Sequence, residues 1–117
     1  MSNDSIIKQK SMMFARRIVR LYQYLQAEQR EFVMSKQILR SGTSIGANVT
    51  EAIYGSSRRD FAAKLQIAKK EAAETVYWLE LLYSCDFLPK NLYDSLLADC
   101  KELLSMITAS IKTISNS

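Results

Sequence analysis

The chain carries carboxylates, cations, two thiols and one segment of small polar residues, but no histidine. Without histidine there is no Ser-His-Asp or Cys-His nucleophile system, and most zinc sites are excluded. Helical RNases that depend on an arginine and a histidine in one motif are excluded for the same reason. Glu71 and Glu74 stand three apart in a helical pattern, yet no Glu-x-x-His follows, so a di-iron bundle is not expected. These two carboxylates are expected to answer basic groups across a helix contact. Cys85 and Cys100 do not make a metal set. If a turn lies near Pro89, Cys85 sits beside it and Cys100 lies about 11 residues beyond, roughly 16 Å along a helix. Bridged cysteines need Cα atoms within about 7 Å, so both are expected as reduced thiols. The expectation is therefore a protein that is not an enzyme and has no cofactor and no metal.

The segment from Arg40 to Asn48, with Gly42 and Gly46 inside it, invites a phosphate-loop reading. It lacks the Gly-Lys-Ser/Thr ending and a preceding strand, so that reading is weak. Gly42 and Gly46 stand four apart on a predicted helix, where each costs up to about 1 kcal/mol against alanine. That spacing suits the close approach of another helix. Gln37, Ser41, Ser44, Asn48 and Glu51 line a neighbouring polar edge, predicted to form a hydrogen-bonded row between helices.

The cations are unevenly spread. Residues 1–70 hold 13 of the 16 Lys and Arg but 5 of the 12 Asp and Glu, whereas residues 71–117 hold 3 and 7. A basic front and an acidic back suit either a nucleic-acid surface or electrostatic pairing between subunits. At roughly 100° per residue, Arg16 and Arg20 point away from the core of the first helix, with Lys10 and Arg17 on its flank. Arg59 and Lys70 take the outer face of the third, with Gln66 and Tyr77 interleaved. Cations with interleaved aromatics can grip a nucleic-acid backbone, and these six are the candidate contacts. The plainer reading is a solvated surface. Ile67, Trp78 and Leu81 make a second apolar stripe on the third helix, predicted to contact another subunit.

Four helices must position these groups. A chain of 117 residues with 48% apolar content, three Gly and one Pro is one domain (1–117) of long elements. The first helix, about 5–26, carries Ile7, Phe14, Ile18, Leu21 and Leu25, interrupted only at Ser11. Residues 27–30 connect it to a second, about 31–54, with Ile38, Gly42, Ile45, Val49 and Ala52 on one face. Gly55 is expected at its C-cap. The third begins near Ser57 and carries Phe61, Leu65, Ala68, Ala72, Thr75, Leu79 and Leu82. Pro89 suits the first turn of the fourth, whose stripe runs from Leu92 to Ile114. Residues 115–117 are expected to fray. Long helices with short links predict an all-α, antiparallel up-down-up-down four-helix bundle. The most apolar stretch, 76–83, is far short of the ~20 residues a membrane span needs. The N-terminus lacks the basic start and apolar run of a signal peptide, so a cytoplasmic location is expected.

Two segments carry a family resemblance. One runs from Gln37 to Ala52; the other is Asp60-Phe61, then Lys64 to Thr75, then Tyr77-Trp78-Leu79. They resemble the bacterial four helix bundle protein family, whose members are encoded in intervening sequences of large-subunit ribosomal RNA genes, among other places. The likeness covers about residues 10–112. The family's ribosomal label reflects gene location. The accessory variability determinant of diversity-generating retroelements is structurally related. The resemblance implies a ring, typically a pentamer. For the retroelement relative it implies a basic surface that binds nucleic acid and a reverse transcriptase. Under this resemblance the small residues, Asn48 and Glu51 look structural, and no catalytic residue carries over. The expected function is a homo-oligomeric accessory protein that binds RNA or DNA. The alternative is a scaffold whose basic face meets a protein partner.

Overall fold

The computed structural model describes residues 3–115. Residues 116 and 117, part of the expected frayed end, lie outside that range. Four helices follow in order: α1 (Asn3–Ala27), α2 (Met34–Ile53), α3 (Arg58–Ser84) and α4 (Lys90–Ser115). Among the described residues there is no strand, and no helix is long and apolar enough to cross a membrane. The helices run up, down, up and down in a bundle 46 Å long and about half as wide. Each packs on its sequence neighbours, and α1 closes the ring on α4 through the thinnest of the four seams. α1 and α3 are diagonal, and their backbones do not come close among the described residues.

The core is the set that the apolar period marked. Ile7, Phe14, Ile18, Leu21 and Leu25 of α1 meet Ile38, Ile45 and Val49 of α2, Leu65, Leu79 and Leu82 of α3, and Leu96, Leu103 and Ile107 of α4. Ser11, which breaks the α1 stripe, is buried with the rest and donates to its own helix at Lys8 O, 3.0 Å away. The hydroxyls of Ser41 and Thr75 meet at 2.9 Å between α2 and α3, so neither is stranded in the apolar interior.

Two helix ends differ from the sequence-based expectation. α2 starts at Met34 rather than near Glu31, because the Glu31 carboxylate does the work of a cap from outside the helix. Its oxygens accept from Val33 N (3.1 Å), Met34 N (3.0 Å) and Ser35 N (2.7 Å), and Ser35 Oγ donates back to Glu31 O. One carboxylate thus satisfies three amide donors at the helix start, at the end of the dipole that favours negative charge. At the other end of α2, Gly55 does not adopt the left-handed conformation expected of a C-terminal glycine. Its N–H closes on Ala52 O at 3.2 Å instead. The left-handed positions fall on Arg30 (φ 53°) and Asp86 (φ 66°). At the end of α3, Phe87 N reaches back to Leu82 O and Asp86 N to Tyr83 O, the paired bonds of a Schellman motif, whereas at the end of α1 the bond is one residue wider, from Glu31 N to Leu25 O. Ser57 caps α3 by accepting from Asp60 N. Pro89 sits just before α4, and Tyr93 N donates to its carbonyl at 3.0 Å.

Candidate nucleic-acid interface

The six candidate cations do not form one face. Lys10 and Arg17 turn sideways and bind α4: Lys10 Nζ lies 2.8 Å from Glu102 Oε1, and Arg17 Nη1 lies 2.7 Å from Asp99 Oδ2. Their helical positions place them beside the α1–α4 seam, where the acidic part of the chain reaches them first. Arg16, Arg20, Arg59 and Lys70 remain exposed, and among the described residues none forms an ion pair. They divide into two pairs, because α1 and α3 are diagonal and their outward faces diverge. A single basic face uniting Arg16 and Arg20 with Arg59 and Lys70 is therefore not present within one chain.

On α3 the arrangement is linear. Arg59, Gln66, Lys70 and Tyr77 are separated by seven, four and seven residues, which returns each to nearly the same direction. All four are exposed, on the side of α3 turned away from its neighbours. Glu80 follows beyond Tyr77 and ends the cationic stretch.

The expected polar row between α2 and α3 is partly present. Ser41 pairs with Thr75, and Glu51 pairs with Lys64 across the contact at 3.0 Å. Ser44 and Asn48, however, bond to their own helix, Ser44 Oγ to Arg40 O and Asn48 Nδ2 to Ser44 O. Both lie one turn from a backbone carbonyl, which outcompetes the neighbouring helix. Arg40 supplies what the row lacks. Its guanidinium bonds Glu74 Oε1 at 2.8 Å and approaches Glu71 Oε2 at 3.8 Å. Glu71 and Glu74 thus answer a cation across a contact, as their spacing suggested. The Glu74 carboxylate also accepts from the Trp78 indole N–H at 3.2 Å. Trp78 is accordingly half-buried and anchored to its own chain, as Leu81 is half-buried; of the three stripe residues only Ile67 is exposed.

The two glycines play different parts. A Cβ on Gly42 would stand 2.8 Å from the buried Ile18 Cγ1, so the position is filled by a side chain of α1. At Gly46 the nearest atom is Ser11 O at 3.4 Å, and here the α1 backbone itself comes close.

A model of the 23S rRNA-intervening sequence protein family matches residues 3–109. The chain belongs to this family. It is similar to a crystal structure of a protein of unknown function from the S23 ribosomal protein family of Bacteroides thetaiotaomicron. The two share 53% identity over 95% of this chain and 99% of that one, with a TM-score of 0.93. No curated protein matches the chain. In this intervening-sequence family member the segment from Gly42 to Glu51 packs on α1 at both glycines and pairs with α3 through Glu51 and Lys64.

Reading by sequence missed two features of the surface. One is Glu31, taken as the first residue of a helix when it is the cap of one. The other is the set of apolar residues outside the α1 core stripe, Met12, Met13 and Val19, all exposed. Their positions on the helical wheel already placed them outward, Met12 and Val19 on one side of Arg16 and Arg20 and Met13 on the other.

Proposed function

We propose that this chain is a non-enzymatic, self-associating protein that holds a nucleic-acid backbone along the outward line of α3. The observation that carries the reading is that line: Arg59, Gln66, Lys70 and Tyr77, exposed and collinear, with neither cation in an ion pair among the described residues. Residues 59 to 77 span about 27 Å at ~1.5 Å per residue. That length suits on the order of four nucleotides of single strand, the low end of what a stacking platform covers. The cations serve phosphates, and the Tyr77 ring offers a face to an unstacked base. Binding of this kind tolerates sequence, since few of these side chains suit base-edge readout. Ile67 flanks the same line and is the natural point of contact between copies. A ring, the pentamer that the resemblance implies, would repeat the line once per subunit.

The test is filter binding of single-stranded RNA by wild type and by Arg59→Glu/Lys70→Glu. Two lost contacts per chain should flatten the slope of log affinity against log salt by about 1.4 at ~0.7 per contact. No retention of single-stranded RNA, single-stranded DNA or duplex near 50 mM salt, roughly the low-salt limit where such contacts are strongest, would overturn the reading. A protein scaffold without nucleic-acid binding, with a reverse transcriptase or another protein as partner, is the alternative. The pairing of Lys10 and Arg17 with carboxylates of α4 favours it, because there the chain's own cations take protein partners.

A further inference from the structure

From Ser5 to Ala27, α1 contains no acidic side chain and five basic ones: Lys8, Lys10, Arg16, Arg17 and Arg20. Lys10 and Arg17 show what this helix does with such groups. They stand seven apart, with buried Phe14 between them, and hold Glu102 and Asp99 of α4 beside buried Leu103. α4 is at that place an acidic amphipathic helix, held by α1 through two cations and an apolar strip.

The outward face of α1 repeats the pattern with nothing on it. Arg16 and Arg20 stand four apart, exposed, and form no ion pair among the described residues. Around them lie Met12, Met13 and Val19, which are 50%, 62% and 40% exposed. Met12, Met13 and Arg16 border an open concavity of about 500 Å³ with Gln9. Exposed thioethers beside cations suit a helix that brings both apolar and acidic side chains, the groove-and-anchor mode of helix recognition.

We propose that this face is a docking surface for an acidic amphipathic helix of a protein partner. Charge and apolarity together select that occupant. A phosphate backbone would satisfy Arg16 and Arg20 but leave the methionines and Val19 against charge, whereas the α3 line has Gln66 and Tyr77 in their place. A second copy of the chain has few carboxylates to bring on its helices. Glu71 and Glu74 face Arg40, Glu51 holds Lys64, Asp94 holds Lys90, and Asp99 and Glu102 are bound to α1. The other helical carboxylates, Asp4, Asp60 and Glu80, stand singly near separate helix ends and make no acidic flank beside an apolar strip. The partner must therefore supply its own acid.

The probe is a synthetic helical peptide of about 18 residues, long enough to hold a helix on a surface, with leucine on one face and glutamate on its flanks. A fluorescent label reports binding by anisotropy at about 150 mM salt, where long-range attraction is screened. The acidic peptide should bind wild type, and the same peptide with lysine for glutamate should not. Met12→Glu/Met13→Glu and Arg16→Glu/Arg20→Glu should each weaken binding about tenfold or more, a loss near 1.4 kcal/mol, with the melting curve unchanged because all four side chains are exposed. Single-stranded RNA should not displace the peptide, and Arg59→Glu/Lys70→Glu should leave peptide binding intact, which separates this surface from the α3 line. The proposal is overturned if the acidic peptide fails to bind, if it binds both double variants as it binds wild type, or if RNA displaces it. It is equally overturned if Arg16→Glu/Arg20→Glu disperses a wild-type oligomer in light scattering, since the occupant is then a second copy.

Discussion

The Arg17 guanidinium lies 2.7 Å from the Asp99 carboxylate and closes the seam between α1 and α4, the least tightly packed side of the bundle. With the Lys10–Glu102 pair, seven residues earlier on α1 and about two turns away, it withdraws two cations from the solvent-facing charge of α1. Partly exposed pairs of this kind contribute about 0.2–1 kcal/mol each. Lys10→Ala/Arg17→Ala should therefore lower stability by at most about 2 kcal/mol in a urea melt, counting both pairs. The same variant should leave the salt slope of RNA binding unchanged, and a clearly flatter slope would show that these residues reach phosphate.

Gly42 and Gly46 should part company on substitution by alanine. At Gly42 the new Cβ would meet Ile18 Cγ1 and Cγ2 at 2.8 and 2.9 Å, and Ile18 is fully buried with nowhere to move. The overpacking cost of about 1–3 kcal/mol should exceed the gain in helix propensity of at most ~1 kcal/mol. At Gly46 the nearest contact is 3.4 Å, so propensity should prevail and Gly46→Ala should be neutral or slightly stabilising. Thermal melts of the two variants settle the contrast. A Gly42→Ala protein as stable as wild type would mean that α1 and α2 are less firmly seated than Ile18 implies.

Burial pushes the Cys100 thiol up to about 12, and the nearby Asp99 charge acts in the same direction. The thiol stays protonated at neutral pH and donates to Ala72 O at 3.4 Å. A thiol reagent at pH 8, roughly the onset of ordinary cysteine reactivity, should label Cys85, which is exposed, and spare Cys100 until the protein is denatured. Because the folded value lies above the unfolded one, this thiol's contribution to stability is complete below the unfolded value near 9. It is lost as pH rises toward 12. Cys100→Ala should remove that alkaline loss while opening a small cavity, which a melt at two pH values will show.

Ile67 and Trp78 make unequal probes of self-association. Trp78 is held by Glu74 and by the core, so a change there disturbs the fold as well as any contact. Ile67 is exposed, and Ile67→Glu should leave the melting curve alone while dispersing an oligomer in light scattering. If the variant assembles as wild type does, the contact between copies lies elsewhere.

Much of this protein was legible before any coordinates. The 3–4 spacing of Leu, Ile and Ala marked four helices, and nearly every residue of those stripes is buried. The reason is that a helix has one periodicity, and a long run of matches admits few alternatives. The helix boundaries were less legible. Glu31 looks like a good helix former, and only the position of three amides around its carboxylate shows that it acts from outside α2. Likewise Arg30 and Asp86 took the left-handed positions that composition would assign to glycine, since the bond back to Leu25 O or Leu82 O outweighs the cost of φ > 0.

The sequence by itself determined which side chains face outward on each helix, because that follows from roughly 100° per residue and a known core stripe. It could not determine which outward faces share a side of the molecule. That was decided by packing: α1 lies between α2 and α4 and diagonal to α3, so Arg16 and Arg20 diverge from Arg59 and Lys70. Nor could it tell Arg17 from Arg16, adjacent in sequence and alike in charge. A rotation of one residue carries Arg17 to the α4 seam, where Asp99, 82 residues later in the chain, is waiting at 2.7 Å. Long-range partners of this kind exist only once the helices have docked, because nothing local in α1 encodes the position of α4.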